Sequence, residues 1–251
     1  MTIIDNRFYK GRVSLNVLAN SIQNAKNIFQ EMDGHVLIGM TASNFPSAES
    51  AAKVIEEYGK EIDHAISIGL GNGDNRQAKV VATIAKLYPV THINQVFPYV
   101  GITRANLEEK NSWINSLVSP TGKAGFVNIS TGPISSTNKE KAIVPIKAAI
   151  SLVRDMGGNA LKYFPMDGLS CEEEFRMVAQ ACGEEGFSLE PTGGLNKENF
   201  ESILRIALEA NVRQVIPHVY SSIINRESGG TNLDDIRELY KIMKRLVEEY
   251  E

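Results

Sequence analysis

The chain has 251 residues, 43% of them hydrophobic, so it can bury a substantial core and has the length typical of one α/β barrel. A net charge of −4 excludes nucleic acid as the main partner, because no basic surface is available to neutralise phosphates. No run of about 18 apolar residues predicts a membrane span. Residues 1–7 lack the apolar core of a signal peptide, and Cys171 and Cys182 are typical of reduced structural thiols, so we expect a cytoplasmic protein.

Short β-branched runs alternate along the chain with longer segments of helical periodicity, which is typical of a parallel sheet with helical crossovers. The predicted strands are Val13–Leu18, His35–Gly39, Ala65–Gly69, His92–Val96, Gly125–Ile129, Ala160–Phe164, Phe187–Glu190 and Gln214–Pro217. Helices are predicted between and after them, among them Ala48–Tyr58, Lys139–Met156, Asn196–Ala210 and Leu233–Glu249.

Eight β/α units in a chain of this length favour a closed (β/α)₈ (TIM) barrel, formed as one domain over residues 1–251. An open doubly wound sheet would show a glycine-rich first turn, and Leu18-Ala19-Asn20 contains no glycine. Function in a barrel lies at the C-terminal ends of the strands. Here those ends are mostly small, polar or glycine-rich, which suits close approach of the backbone to a ligand.

Lys162 lies in the apolar run Ala160–Phe164, which predicts a buried strand. Burial disfavours the ammonium form and leaves a neutral amine that can attack a carbonyl. The functional interpretation is therefore a nucleophile that forms an imine with a keto substrate. The alternative is a strand-end lysine that extends to water or pairs with a carboxylate.

Thr192-Gly193-Gly194 follows the seventh predicted strand and leads directly into a helix. Two glycines there expose backbone N–H groups beside the positive end of a helix dipole, which predicts an anion site. The alternative is a plain turn into a capped helix. Gly229 and Gly230 open the last helix and are predicted to complete the same phosphate site.

Leu161-Lys162-Tyr163-Phe164-Pro165 followed by Pro191-Thr192-Gly193-Gly194-Leu195 resembles the paired motifs of 2-dehydro-3-deoxy-6-phosphogluconate aldolases. Their Schiff-base strand reads Lys-Phe-Phe-Pro, and their next strand ends Pro-Thr-Gly-Gly-Ile. The whole chain is more closely similar to a smaller bacterial group of 2-dehydro-3-deoxyphosphogluconate or 4-hydroxy-2-oxoglutarate aldolases.

The resemblance implies a class I aldolase in which Lys162 attacks the C2 carbonyl of a 2-keto acid. Carbon–carbon cleavage then releases pyruvate and an aldehyde. Thr192 would lie near the substrate carboxylate, and the Gly193 and Gly194 amides would hold the phosphate. The expected partners are this small-molecule substrate and pyruvate, with no cofactor, no metal, no nucleic acid and no membrane. Such barrels commonly self-associate, so a homo-oligomer is expected.

The proton-transfer group is the point at which the chain departs from the larger family, which carries a glutamate on an early strand. The early predicted strands here end in Asn20 and Met40-Thr41, without a carboxylate. Glu190 is predicted to face the interior with Thr192, because alternate residues of a strand share a face. It is a candidate acid/base near Lys162, or a carboxylate that only orients the lysine.

Weaker candidates are Asp74 and Asp167 as acids, and Arg104 as an anion-binding residue. His92 and His218 are predicted at opposite ends of their strands, so that only His218, Asp74 and Glu190 could converge on a metal. Three alternatives remain open at this point. They are a metal-dependent class II aldolase, a phosphosugar isomerase or epimerase on the same barrel, and a non-catalytic sensor of sugar phosphates.

Overall fold

A curved parallel sheet of seven strands forms the centre of the computed structural model, which describes residues 3–108 and 111–251. The strands follow one another around the sheet in chain order, interrupted only by a separate antiparallel hairpin, β6–β7. The strands are β1 Leu15–Leu18, β2 Val36–Thr41, β3 Ile66–Gly69, β4 His92–Val96, β5 Trp113–Val118, β6 Phe126–Asn128, β7 Ile143–Pro145, β8 Ala160–Tyr163 and β9 Ser188–Pro191.

Amphipathic helices cover the outside of the sheet and bury their apolar faces in one large core. They are α1 Ile22–Glu31, α2 Ala48–Glu61, α3 Ala78–Leu87, α4 Val100–Leu107, α5 Ile146–Asp155, α6 Glu172–Glu184, α7 Lys197–Glu209 and α8 Leu233–Glu249. The helix start predicted at Asn196 is confirmed, since the Asn196 side chain accepts from the Asn199 amide in a capping box. Each fully buried Leu, Ile, Val or Phe on these faces contributes about 1.5–3 kcal/mol.

The segment 214–219 lies between the two edges of the sheet. On the β1 side the amide of Asn16 donates to the Pro217 carbonyl at 2.9 Å. On the β9 side the amide of His218 donates to the Pro191 carbonyl at 3.0 Å. The segment is not a regular strand, although Gln214–Pro217 was predicted as one, and it pairs with both edges only through isolated parallel bridges.

One predicted strand lies outside the main sheet, and one predicted helix begins later than expected. Gly125–Ile129 was predicted as a strand of the main sheet, but Phe126–Asn128 pairs antiparallel with Ile143–Pro145 outside it. That second hairpin strand also shortens the helix predicted at Lys139–Met156 to Ile146–Asp155. The true fifth strand, Trp113–Val118, was missed because the polar pair Asn115-Ser116 interrupts its apolar run.

The interior of the curved sheet is filled at the N-terminal ends of the strands. Phe8 packs against Trp113 there, with ring centroids 5.6 Å apart. These rings belong to a small apolar cluster completed by Ile4, Leu37, Ala160 and Ile216. The opposite, C-terminal end of the sheet is left for polar side chains. No helix within the described residues is long and apolar enough to cross a membrane.

Candidate active site

A cavity of about 490 Å³ opens at the C-terminal ends of the strands. Lys162 lies in its wall together with Thr192, Gly193 and Gly194, so the structure brings these four predicted site residues together. The other lining residues used below are Ser67, Asn94, Asp167, His218 and Tyr220.

Lys162 is partly buried and projects from β8 into this cavity. Its Nζ donates to Asn94 Oδ1 at 2.9 Å and lies 3.4 Å from His218 Nδ1. The Asn94 amide orientation is fixed by its own Nδ2, which donates to the Ile68 carbonyl at 2.9 Å. The lysine therefore meets an acceptor oxygen and an imidazole nitrogen, and no carboxylate bonds it directly among the described residues.

Burial lowers the pKa of Lys162 to about 8, although the charge of Glu190 acts in the opposite direction. A free lysine titrates near ~10.4, so a larger fraction of Lys162 is a neutral amine at physiological pH. The shift favours the nucleophile interpretation over the surface-lysine alternative.

Glu190 is fully buried beneath the cavity and is not among the described residues that line it. Four donors converge on its carboxylate. These are His92 Nε2 at 3.0 Å, Trp113 Nε1 at 2.8 Å, Asn115 Nδ2 at 2.5 Å and His218 Nε2 at 2.8 Å. A carboxylate offers about four lone-pair sites, so this one is saturated. Burial alone would raise the pKa of Glu190, but its interactions with His92 and His218 outweigh burial and hold that pKa below its usual range.

Hydrogen-bond donors and acceptors around Ser67 determine the tautomer of His92. Ser67 Oγ accepts from Asn16 Nδ2 and from Asn94 Nδ2, both at 2.9 Å, which uses both of its lone pairs. Its own proton is then donated to His92 Nδ1, 2.8 Å away. In this arrangement His92 Nδ1 accepts and His92 Nε2 donates to Glu190.

His218 presents its other nitrogen to the cavity. Its Nε2 carries the proton that Glu190 accepts, so Nδ1 has a free lone pair. Nδ1 lies 2.9 Å from the Tyr220 hydroxyl and 3.4 Å from Lys162 Nζ. Burial and the charge of Lys162 lower the pKa of His218 to about 3, so the imidazole is neutral at physiological pH.

The loop between β9 and α7 exposes backbone amides at the cavity. Gly193 and Gly194 have φ of 100° and 70°, left-handed values that favour glycine. A Cβ at Gly194 would lie 2.5 Å from the Gly168 amide nitrogen. Within the described parts of the chain, neither the Gly193 nor the Gly194 amide donates to a protein acceptor. Two neighbouring backbone amides without an acceptor among the described residues, close to the N-terminus of α7, suit a phosphate.

Other predicted site residues lie elsewhere. Gly229 and Gly230 do not line the cavity, and their amides donate to Asn225 O and Ser228 Oγ within their own turn. Arg104 donates to carbonyls beyond the N-terminal ends of the strands.

The two acidic candidates lie at the periphery. Asp74 is bound by the Arg76 guanidinium, and Asp167 is exposed at the cavity rim.

The prediction for the two histidines is wrong in part. His92 does begin its strand, β4, as predicted, but it was not expected to converge with His218 and Glu190. The two histidine rings lie 6.0 Å apart and contact the same carboxylate. Trp113 donates to that carboxylate as well. The missed polar residues had one local signal. Asn94 and Asn115 interrupt buried strands and are register partners on neighbouring strands.

His92, Glu190 and His218 are close enough in space to be considered as metal ligands. The donor set does not fit a metal, because the Nε2 of each histidine carries a proton that the carboxylate accepts. The carboxylate oxygens are further occupied by Trp113 and Asn115, which can only donate there. The cluster is a hydrogen-bonded network around a buried anion.

Comparisons with known proteins identify the family of the chain. The family model of KDGP aldolases matches residues 9–227. A 2-dehydro-3-deoxy-phosphogluconate aldolase of Salmonella typhimurium (strain 14028s / SGSC 2262) is 41% identical over 244 residues, which are 96% of this chain and 98% of that protein.

Solved structures agree at the level of the fold. A structure of native KDPGal is 12% identical, with a TM-score of 0.53 over 95% of each chain. A (S)-3-O-geranylgeranylglyceryl phosphate synthase from Thermoplasma acidophilum is 12% identical, with a TM-score of 0.58 over 98% of this chain and 99% of that one. At these identities the two structures share the fold alone.

Proposed function

The chain belongs to the KDGP aldolase family, which confirms the family predicted from its motifs and makes it a lyase. On this premise we propose that it is a class I aldolase acting through an imine at Lys162. The proposed substrate is a 2-keto-3-deoxy sugar acid phosphate of the 2-dehydro-3-deoxy-6-phosphogluconate type. Its cleavage yields pyruvate and an aldehyde. The observation that carries the mechanism is a partly buried lysine whose amine faces a cavity and whose pKa is lowered.

Lys162 acts as the nucleophile. Its neutral amine adds to the C2 carbonyl, and loss of water gives an iminium that accepts the electron pair of the breaking C3–C4 bond. The Asn94 side chain is oriented by its Nδ2, which donates to the Ile68 carbonyl, and by Asn115 Nδ2, which donates to its Oδ1. The same Oδ1 accepts a hydrogen bond from Lys162 Nζ and aims the amine at the cavity.

The loop 192–194 binds the anionic ends of the substrate. The Gly193 and Gly194 amides hold the phosphate, and Thr192 lies near the substrate carboxylate. Thr192 is buried at the cavity wall, with its Oγ1 3.2 Å from the Glu190 carbonyl. The assignment to Gly229 and Gly230 is not part of the proposal, since their turn binds its own amides.

Glu190 supports the site as a fixed negative charge rather than as a base that contacts substrate. Its four donors leave no lone pair for a water or a substrate hydroxyl. It is connected to Lys162 by two routes, one through His218 and the other through Asn115 and Asn94. Of the two roles predicted for this residue, the orienting one is therefore the role we propose.

The imine is tested by trapping. Pyruvate with sodium borohydride is expected to add the mass of a reduced pyruvate adduct to the Lys162 peptide, and Lys162→Met is expected to abolish both the adduct and pyruvate formation from substrate. Pyruvate is followed with a coupled lactate dehydrogenase, and Lys123→Met provides a matched control on an exposed lysine.

Two outcomes would contradict the proposal: no adduct on any lysine, or turnover that survives Lys162→Met. A chelator arm separates the metal-dependent alternative, and the rate is expected to be unchanged after dialysis against EDTA. Loss of turnover that a divalent metal restores would indicate a class II enzyme.

The proposal also covers the architecture and setting of the enzyme. The bridges of segment 214–219 to both sheet edges support a closed eight-stranded barrel formed as one domain. Free Cys171 and buried free Cys182 are consistent with a reducing cytoplasmic location. Self-association into a homo-oligomer remains a prediction.

A further inference from the structure

Cleavage of the C3–C4 bond requires a group that takes the proton of the C4 hydroxyl, and this inference rests on the proposed aldol reaction. The titratable side chains at the cavity wall, among the described residues, are Lys162, Asp167, His218 and Tyr220. The Lys162 nitrogen is part of the imine during cleavage, so it cannot accept the C4 hydroxyl proton. Asp167 is exposed in a loop at the rim, where water competes for its carboxylate.

His218 and Tyr220 remain, and they form one unit. His218 is 2% exposed, and its only free lone pair, on Nδ1, already faces the Tyr220 hydroxyl at 2.9 Å. Tyr220 is partly buried and lines the cavity. Its hydroxyl proton has two acceptors within reach, His218 Nδ1 at 2.9 Å and Asn16 Oδ1 at 3.2 Å. The hydroxyl is therefore the member of the pair that a substrate can reach.

We propose that Tyr220 is the general acid/base of the reaction and that it exchanges its proton with His218, whose imidazolium form is stabilised by the buried carboxylate of Glu190. The three groups form a continuous line of contacts, Tyr220 hydroxyl to His218 Nδ1 at 2.9 Å and His218 Nε2 to Glu190 at 2.8 Å. A carboxylate that orients an imidazole, which in turn activates a hydroxyl, is a recurring catalytic arrangement.

The position of Lys162 explains why the hydroxyl acts on C4. Lys162 Nζ lies 3.4 Å from the same His218 Nδ1 that Tyr220 contacts. The imine nitrogen and the Tyr220 hydroxyl are thus neighbours across one acceptor atom. The C4 oxygen of the substrate is separated from the imine carbon by only C3 and C4, so it lies within reach of a group beside the imine.

Protons and electron pairs balance in this step. The C4 hydroxyl proton passes to the Tyr220 oxygen as the Tyr220 proton moves to His218 Nδ1, and the freed O–H electron pair forms the C4 carbonyl. The C3–C4 pair becomes the C2–C3 double bond, and the iminium π pair moves onto nitrogen, which gives an enamine. Return of the proton through Tyr220 to C3 gives the pyruvate imine, and water hydrolyses it to pyruvate and free Lys162.

Charge moves in a favourable direction during the same step. Burial is the main cause of the low pKa of His218, and the positive charge of Lys162 lowers it further. When the iminium becomes a neutral enamine, that charge disappears as the imidazole receives its proton. The carboxylate of Glu190 then faces a single cation, His218, and needs no movement of its own.

The test separates imine formation from bond cleavage. Tyr220→Phe keeps the ring and removes the hydroxyl. The borohydride adduct with pyruvate is expected to form on Lys162 as in the wild type, whereas kcat for cleavage of 2-dehydro-3-deoxy-6-phosphogluconate is expected to fall about 10²–10⁴-fold. Tyr88→Phe, which removes a hydroxyl bonded to His64 outside the cavity, is the control and should retain full activity.

A rescue variant keeps the proposal testable if Tyr220→Phe disturbs folding. Difluorotyrosine incorporated at position 220 keeps a proton-bearing hydroxyl and should restore cleavage. A cleavage rate for Tyr220→Phe within about tenfold of the wild type would overturn the proposal, because general acid/base groups supply about 10²–10⁴-fold. Parallel loss of adduct and cleavage, or failure of the rescue, would overturn it as well. Absence of an adduct in the wild type would instead refute the imine mechanism itself.

Discussion

At the scale of single residues, Lys162 and Glu190 show how the surroundings decide what a buried charge does. Both lie on neighbouring strands in direct register. Lys162 has one acceptor and an imidazole nitrogen as neighbours, so its ammonium form is poorly compensated and its pKa falls. Glu190 has four donors, so its charged form is kept despite complete burial. The surroundings therefore favour a neutral amine at Lys162 and a stable anion at Glu190.

The pKa of Lys162 can be measured directly by competitive labelling. Acetic anhydride reacts with neutral amines, so the labelling rate of Lys162, followed by peptide mass spectrometry, is expected to rise with pH to a half-maximum near pH 8. A lysine model compound labelled in the same tube should reach half-maximum near pH ~10.4. A half-maximum for Lys162 at the pH of the model compound would contradict the assignment.

Removal of the Glu190 charge provides the matched variant for that measurement. The charge of Glu190 raises the pKa of Lys162, so Glu190→Gln is expected to move the half-maximum of Lys162 labelling to lower pH. Circular dichroism is recorded first to check folding, because the NH2 group of the glutamine would face two N–H donors that bind a carboxylate oxygen in the wild type. A shift to higher pH would show that the pKa of Lys162 is not governed by this charge.

At the scale of elements, strand β5 shows why one strand of the sheet was not predicted. Its polar residues Asn115 and Ser116 break the apolar pattern by which strands are recognised. Asn115 is polar because its side chain connects Asn94 to Glu190 in the site, so the functional requirement overrides the usual strand pattern.

Helix packing makes a second prediction whose sign depends on tertiary structure. Gly183 lies within α6, where replacement by alanine would normally stabilise a helix by about 1 kcal/mol. A Cβ at Gly183 would lie 1.8 Å from the Ala210 carbonyl oxygen at the end of α7. Gly183→Ala is therefore expected to lower the free energy of unfolding by about 1–3 kcal/mol, measured by urea denaturation.

Gly101 in α4 is the control for that substitution. A Cβ there would meet only Met156, with its nearest atom at 3.7 Å, which is an ordinary contact. Gly101→Ala should leave stability unchanged or raise it by up to about 1 kcal/mol. Equal stability of both variants would mean that α6 and α7 can move apart without cost.

At the scale of the whole molecule, the segment 214–219, which bridges to both edges of the sheet, brings distant parts of the chain into one site. The segment 214–219 carries His218, which contacts Glu190, and Val219, whose amide donates to the Asn16 carbonyl at 3.0 Å. Tyr220 follows it and contacts the Asn16 side chain. The catalytic arrangement therefore depends on β1 and β9 meeting through this segment.

Native-state hydrogen exchange tests that closure. In a closed barrel the amides of Asn16 and His218, which donate across the seam, are expected to exchange as slowly as those of the central strand His92–Val96. The peripheral hairpin of Phe126–Asn128 and Ile143–Pro145 should exchange faster. Exchange of Asn16 and His218 at the rate of that hairpin would indicate an open sheet.

The sequence by itself determined the features that are local in the chain. Lys162 in its strand and the Gly193-Gly194 turn before a capped helix are both recognisable within a few residues, because strand patterning and turn chemistry act over short range. The same short-range motifs carried the family assignment, which the family model and the Salmonella relative confirm. The phosphate site at that turn stays a prediction.

Only the tertiary structure decided how the charges of the site are paired. His92 and Glu190 are 98 positions apart, and Tyr220 and Asn16 are 204 apart, so their contacts exist only after the sheet has curved and its edges have met. A carboxylate is a base or a fixed anion according to how many donors reach it, and that number is a property of packing. The sequence therefore sufficed to propose Lys162 as the nucleophile, whereas the groups proposed to move protons are apparent only from the fold.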